Sequence, residues 1–290
     1  MHDIVIIGGG PAGLSAAINA RARGKSVLVV TNDYHDSPLY RAKKVDNYLG
    51  MPDQSGAQLM DTYWAHAQSM GTEFRDGRVL TVMPMEESFY LSIGTDVEEG
   101  GAIVLATGVS QGRKYPGEEE FLGQGVSYCA TCDGMLYRGK NVVVVGMAPD
   151  SPKEANFLQS IGCNVTYVSA KQSEELQADI PFLRLAAFEI QGEGHVNAFH
   201  IGENTLPTDC VFILRNAIPP TSLMAGLEQD NGYIKVDREM KTNLPGVFAA
   251  GDCTGLPLQL SKATGEGLVA GQKAAEYIDN KSKDKTSTVQ

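Results

Sequence analysis

Cys129-Ala130-Thr131-Cys132-Asp133-Gly134 places two thiols with two residues between them and a carboxylate directly after the second. Cysteines at that spacing can close a strained, readily reduced disulfide, and the neighbouring carboxylate can deliver or remove a proton as thiol and thiolate interconvert. The chemistry encoded is transfer of an electron pair to and from a disulfide. Half of a zinc site and two incidental core thiols are the competing uses of such a pair. Zinc would need a second ligand pair of comparable spacing; Cys163, Cys210 and Cys253 stand alone, so no metal site is expected. A single cysteine could not complete the relay, because a mixed disulfide needs a resolving partner.

The elements that could position a redox cofactor lie on either side of this run. Asp3-Ile4-Val5-Ile6-Ile7 reads as a short buried strand, and Gly8-Gly9-Gly10-Pro11-Ala12-Gly13 supplies G-x-G-x-x-G before the helical stretch Leu14 to Arg23. In that pattern Gly8 makes the tight turn, Gly10 lets the backbone approach a pyrophosphate and Gly13 lets helix pack on strand. The helix opening at Pro11 and Ala12 favours the anion. A strand over Ser26 to Val30 follows, but its end reads Thr31-Asn32-Asp33, and Asp33 is a poor substitute by position for the usual ribose-binding acid. A second strand, Asn141 to Gly146, is followed by the helical stretch Lys153 to Ile161, and here only the first glycine of the fingerprint is present.

Composition bounds the class of protein. A chain of 290 residues suits two domains, and 32 glycines suit phosphate-cradling loops. A formal charge of −11 argues against nucleic acid or an anionic membrane as the main partner; the nearest basic stretches are Arg21 to Lys25 and Arg41 to Lys44. Ile4 to Ile7 is too short for a signal peptide's apolar region, so cytoplasm is the expected location. No apolar run approaches the roughly 18 residues of a membrane span, and no internal repeat exists beyond the two nucleotide-type units. The three lone cysteines read as free core thiols, Tyr63 and Trp64 as core cover on a helix over Gln58 to Met70, and His66 as a surface or capping residue. The polar tail Asn280 to Gln290 is expected to be disordered.

Two further segments resemble parts of flavoproteins with two dinucleotide domains. Ile103 to Gly108, ending in Ala106-Thr107-Gly108, is like the strand that leaves the FAD domain, and Gly246 to Asp252, ending in Gly251-Asp252, is like the strand whose Asp meets the flavin side of the pyrophosphate and ribityl chain. With Gly8 to Gly13, Val45-Asp46-Asn47-Tyr48-Leu49-Gly50, Cys129 to Gly134 and Gly265-Glu266-Gly267, the chain resembles the low-molecular-weight thioredoxin reductase family over nearly its whole length. The resemblance implies an α/β fold of two Rossmann-like three-layer dinucleotide-binding domains, the second inserted in the first. Residues 1–111 and 243–290 would form a discontinuous FAD-binding domain, and 112–242 an inserted, degenerate NADPH-type domain carrying the cysteine pair.

The same resemblance implies roles. Cys132 would be the flavin-proximal sulfur, Cys129 the interchange thiol that attacks a protein disulfide, and Asp133 the acid/base. Non-covalent FAD would be held by Gly8, Gly10, Pro11, Ala12, Gly13, Asn47, Ala106, Thr107, Gly108, Gly251 and Asp252. Thioredoxin or a thioredoxin-like protein is the implied substrate and a homodimer the implied assembly.

Departures from the family point away from NADPH. Met147-Ala148-Pro149-Asp150-Ser151-Pro152 stands where NADPH-binding members carry glycines; the added side chains obstruct close approach, the two prolines lack amide donors, and Asp150 sets a negative charge where a pyrophosphate would lie. After a strand over Val165 to Val168, Ser169-Ala170-Lys171 replaces a His-Arg-Arg clamp, and one lysine cannot reproduce bidentate recognition of a 2′-phosphate. Gln259-Leu260 replaces the family's Arg-Gln. These changes resemble the ferredoxin-dependent flavin thioredoxin reductases, which implies reduced ferredoxin as donor, docked on a local basic patch such as Arg41, Lys43 and Lys44. An NAD(P)H-dependent reductase with an atypical loop, a flavin-dependent dithiol oxidase using oxygen, and a non-enzymatic flavin-bearing sensor remain open at this point.

Overall fold

The computed structural model describes residues 1–94, 96–108, 114–215 and 220–288, with the side chains of Asp36, Cys132, Pro220, Thr221 and residues 284–288 outside that description. Strand β1 (His2–Ile7) is apolar and almost wholly buried from Ile4 onward, as a strand covered on both faces requires. Helix α1 (Pro11–Ala22) leads to β2 (Val27–Thr31), which pairs parallel with β1 in the register Ile6↔Val29. Helix α2 (Gly56–Ser69) starts at a reciprocal cap: Ser55 Oγ accepts from Gln58 N–H, and the Gln58 side chain accepts from Ser55 N–H. Then come β3 (Glu73–Asp76), β4 (Val79–Pro84), β5 (Phe89–Ile93) and β6 (Asp96–Leu105). The sheet runs β3-β2-β1-β6-β5-β4, parallel through β6 and antiparallel in the last two strands. Trp64 stacks between the rings of Tyr34 and Phe74 at 4.5 and 4.0 Å, covering core as the sequence suggests.

The middle of the chain builds a second parallel sheet from β7 (Val126–Ser127), β8 (Asn141–Gly146), β9 (Asn164–Ser169), β10 (Phe182–Arg184) and β14 (Cys210–Leu214), in the order β10-β9-β8-β14-β7. Short helix α3 (Ala130–Asp133) follows β7, and α4 (Ser151–Ser160) follows β8. An antiparallel meander of β11 (Phe188–Gly192), β12 (Val196–Ile201) and β13 (Asn204–Pro207) completes it. The four valines of β8 divide by the two-residue period of a strand. Val142 and Val144 pack with Ala155 and Leu158 of α4, whereas Val143 and Val145 pack with Phe188, Ile190 and Phe199 of the meander.

Helix α5 (Pro220–Leu223), the hairpin β15 (Gln229–Asp230) and β16 (Tyr233–Ile234), β17 (Val247–Ala249) and the long α6 (Leu260–Thr288) complete the chain. β17 joins the first sheet beside β6, with Phe248 opposite Val104. α6 lies against α1 so closely that a Cβ on Gly267 would sit 2.2 Å from the Ala12 carbonyl oxygen.

Two compact units result: Met1–Ser110 with Pro219–Gln290, and Gln111–Ile218. The insert thus ends earlier than residue 242. Leu223, Met224, Leu227 and Ile234 are buried, with α5 against β4 and β16 against the turn after β17, and this stretch has no apolar run long enough to announce that packing in sequence. The first expected boundary, Gln111, lies outside the described residues. The tail also differs from the expected disorder: α6 continues to Thr288. Ile278 is buried on it, Lys281 Nζ reaches Glu87 at 3.4 Å, and Ser282 Oγ donates to the Ile278 carbonyl at 3.0 Å. No helix among the described residues is long and apolar enough to cross a membrane.

Candidate functional site

The end of β7 and the start of α3 form the redox turn. Cys129 is 8% exposed and held in a disulfide, while Cys163, Cys210 and Cys253 are free and buried. Ser127 organises the turn: its Oγ accepts from Cys129 N–H at 3.1 Å, and its hydroxyl donates to Asp133 Oδ2 at 2.7 Å. Ala130 N–H donates to Glu154 Oε2 at 3.2 Å, joining α3 to α4. Asp133 N–H donates back to the Cys129 carbonyl at 3.3 Å. The structure therefore brings Cys129 and Asp133 into one turn; the Cys132 side chain lies outside the described residues.

Behind this turn, burial pushes the Cys163 and Cys210 thiols and the Tyr137 hydroxyl upward, so all three stay neutral. Buried neutral thiols are poor nucleophiles. Met135 and Leu136, immediately beyond, are 58% and 70% exposed.

The first glycine loop is shaped by contact. Gly8 has φ +112°, and a Cβ on Gly13 would stand 1.9 Å from the Gly8 carbonyl oxygen. The space beside Gly10, by contrast, is open, and Gly10 caps α1 with no side-chain bond to its first amides. At the carboxyl ends of β6 and β17, Thr107 Oγ1 and Asp252 Oδ1 are buried, and Asp252 Oδ1 has no hydrogen-bond partner among the described residues. Burial raises the Asp252 carboxyl, with Lys262 opposing the shift and Glu266 adding to it. Buried polar atoms at a strand's carboxyl end are what a polar nucleotide ligand would satisfy. The donor set fits FAD.

Around that loop, Glu266 Oε2 accepts from Gly251 N–H at 2.9 Å and lies 3.1 Å from Lys262 Nζ, which also donates to the Gly251 carbonyl at 2.9 Å. Asn47 Nδ2 donates to Gln259 Oε1 at 2.8 Å, joining two positions that the sequence treats separately. Asp33 is turned onto His35, whose backbone and ring hydrogen bonds lower its pKa. Of the basic cluster, Lys44 Nζ lies 2.9 Å from both Asp46 and Asp53, which raise its pKa and cancel much of its field.

The second loop has the same fold and the opposite character. Met147 and Ala148 both donate their amides to the Leu214 carbonyl at 2.9 Å, tying the end of β8 to the end of β14. Ser151, fully buried, donates to the Ala148 carbonyl and lies 3.1 Å from the Tyr167 hydroxyl. A Cβ on Gly146 would stand 2.3 Å from that same hydroxyl oxygen, so the glycine serves internal packing. Pro152 is accommodated in the first turn of α4.

Next to this loop is a cluster that sequence reasoning missed. Arg215, following β14, pairs in a fork with Glu118, which is 1% exposed and also accepts from Tyr115 N–H and Tyr128 O–H at 2.9 Å each. The guanidinium lies over the rings of Tyr115 and Tyr128 at 5.2 and 5.9 Å, and the Tyr115 hydroxyl is 3.7 Å from Met147 Sδ. Burial pushes the Glu118 carboxyl up, but Arg215 and the two tyrosine donors outweigh it and hold it low. The partners are 97 residues apart in sequence, and no local spacing signals them.

Fold and site together define a nucleotide-dependent disulfide oxidoreductase, and comparison agrees: the chain belongs to the pyridine nucleotide-disulphide oxidoreductase family, whose pattern matches residues 2–267. Within that class it is a member of the thioredoxin reductase family. It is 33% identical to the thioredoxin reductase of Listeria monocytogenes, over 96% of this chain and 94% of that protein. Among solved structures it is similar to a ferredoxin-flavin thioredoxin reductase from Clostridium acetobutylicum, with 40% identity, a TM-score of 0.91 and coverage of 95% and 97% of the two chains. A thioredoxin reductase from Gloeobacter violaceus matches at 31% identity and TM-score 0.77, over 97% and 95%.

Proposed function

We propose that this thioredoxin reductase-type enzyme is a flavoprotein that reduces the disulfide of thioredoxin or a thioredoxin-like protein with electrons from reduced ferredoxin, not from NADPH. The observation that carries this reading is the second loop: the two amides that follow Gly146 are both spent on the Leu214 carbonyl. A dinucleotide needs such amides free to meet its pyrophosphate. The likeness to the Clostridium acetobutylicum enzyme supports the choice of donor.

In this reading Gly8, Gly10, Pro11, Ala12, Gly13, Asn47, Ala106, Thr107, Gly108, Gly251 and Asp252 hold FAD. The flavin, when bound, supplies the electron pair and lets single electrons from ferredoxin accumulate. Cys132 receives the pair, Cys129 is the interchange thiol, and Asp133 moves the proton. Exposed Met135 and Leu136 beside the pair suit a protein substrate better than a small dithiol. A homodimer and the insert's role as a nucleotide-free support belong to the same proposal.

The test is an anaerobic absorbance titration of the purified yellow protein. Reduced ferredoxin is expected to bleach the oxidised flavin band and to sustain thioredoxin reduction, and NADPH to do neither. Prompt stoichiometric bleaching by NADPH would restore the ordinary reductase reading. Rapid reoxidation in air with peroxide formation and no thioredoxin reduction would favour dithiol oxidation.

A further inference from the structure

We propose that Ser127 is a positioning residue for proton transfer at the disulfide, its hydroxyl following the proton on Asp133. The inference rests on the reading of Asp133 as the acid/base. Ser127 is 6% exposed and fixed in register opposite Phe212 of β14, so its oxygen has a defined place. That oxygen has three partners: Asp133 Oδ2 at 2.7 Å, Cys129 N–H at 3.1 Å and the Cys129 carbonyl at 3.3 Å.

A serine hydroxyl has one hydrogen and two lone pairs. One lone pair is occupied by Cys129 N–H whatever the state of the site. The hydrogen has two acceptors within reach, and only one can take it. When Asp133 is ionised, the short, charge-assisted bond to Oδ2 wins. When Asp133 carries the proton, it donates to the second lone pair of Ser127, and the serine hydrogen turns to the Cys129 carbonyl. Both protonation states are thereby bonded through the same partners.

Reduction of the Cys129 disulfide by an electron pair from reduced flavin breaks the S–S bond, leaving one thiolate and one thiol whose proton comes from Asp133. When Cys129 attacks a substrate disulfide, its S–H bond breaks and the proton returns to Asp133. A new S–S bond forms, and the substrate's leaving sulfur departs as a thiolate with the electron pair. The carboxyl must therefore cycle between both states in every turnover. Among the described side chains, the other ionisable groups set about the turn are Glu154 on α4, Tyr137 on the following 3₁₀ turn, Cys163 before β9, Cys210 on β14 and Asp209 before it. Burial keeps Tyr137 and Cys210 neutral, and Ser127 donates to the Asp133 carboxylate at 2.7 Å.

The experiment uses the flavin-loaded enzyme, reduced anaerobically with dithionite and mixed with an aromatic disulfide whose thiolate is coloured. The first-turnover rate is followed as a function of pH. In Ser127→Ala the first-turnover rate on the limb that rises with pH is expected to fall about tenfold, which displaces that limb, because the ionised carboxylate loses a charge-assisted bond. Ser127→Thr, which keeps the hydroxyl, should restore the original profile. If the alanine variant does not fold, Ser127→Cys, a weaker donor, should give a smaller shift in the same direction. Flavin content and circular dichroism of each variant report the fold independently. A Ser127→Ala or Ser127→Cys profile superimposable on the original overturns the proposal, provided Asp133→Asn has lost the limb. If Asp133→Asn keeps the original limb, the acid/base reading itself falls, and Ser127 with it.

Discussion

The two glycine loops of this protein sit in the same strand-loop-helix frame and differ in where their polar groups point. Around Gly8 to Gly13 the sheet ends carry buried oxygens on Thr107 and Asp252, the Asp252 Oδ1 atom with no hydrogen-bond partner among the described residues, and the space beside Gly10 is open. Around Gly146 to Pro152 the amides are spent on Leu214, Ser151 and Tyr167 satisfy one another, and Arg215 is paired with Glu118. The first loop leaves polar groups open to a ligand; the second closes them on the protein itself. The fold survives either way, because packing of the parallel sheet depends on valines and not on the loop.

The largest effect should come from closing the open loop. Gly13→Ala puts a methyl group 1.9 Å from the Gly8 carbonyl oxygen, a backbone atom that cannot step aside. The expected result is a protein that purifies colourless or insoluble, read by the ratio of flavin to protein absorbance; normal flavin content would break the comparison at its first member. The second unit should respond differently. Glu118→Gln leaves the buried Arg215 uncompensated and is expected to cost about 3 kcal/mol, measured by denaturant midpoint, with flavin content unchanged. Because the Glu118 carboxyl is held low in the folded state, its contribution is present above the unfolded carboxylate value and lost as pH falls through the folded one. The variant should therefore show a flatter acid side of the stability profile.

Asp252→Asn separates ligand from scaffold. The Asp252 carboxyl is raised by burial, so the native apoprotein binds its proton more tightly than the unfolded chain. Apoprotein stability then declines as pH rises from the unfolded value through the folded one. Asn removes that decline, so the apo variant should gain about 1 kcal/mol while FAD affinity drops about tenfold. Equal losses in both quantities would mean that Asp252 is structural and no cofactor ligand.

How much of this was legible in sequence follows from range. The first loop, the strand ends at Thr107 and Asp252, and the Cys129 to Gly134 run are local patterns, and each could be named from neighbours within a few residues. Met147 and Pro149 declared the second loop altered. That its amides close on Leu214 was not legible, because the acceptor sits on a strand 66 or more residues on. Glu118 and Arg215 were invisible for the same reason. The insert's end was misplaced because short apolar positions such as Leu223 and Ile234 show their packing only in three dimensions. The tail was misread because its polarity hid the anchoring of α6 through Ile278 and Lys281.

The smallest expected effect tests whether side chains or architecture would bar a dinucleotide from the second loop. Met147→Gly with Ala148→Gly restores room for a close backbone approach, which is what sequence alone would prescribe. The backbone hydrogen bonds point to architecture: with glycines in place, both amides still meet the Leu214 carbonyl, Pro149 and Pro152 still lack donors, and Arg215 and Glu118 still pair beside the strand end. The double variant should therefore remain unbleached by NADPH under anaerobic conditions, with flavin content and thioredoxin reduction near those of the parent. Appearance of NADPH-driven bleaching would show that two side chains alone had closed the site, and that inward-turned amides are a consequence of the missing ligand and not its cause.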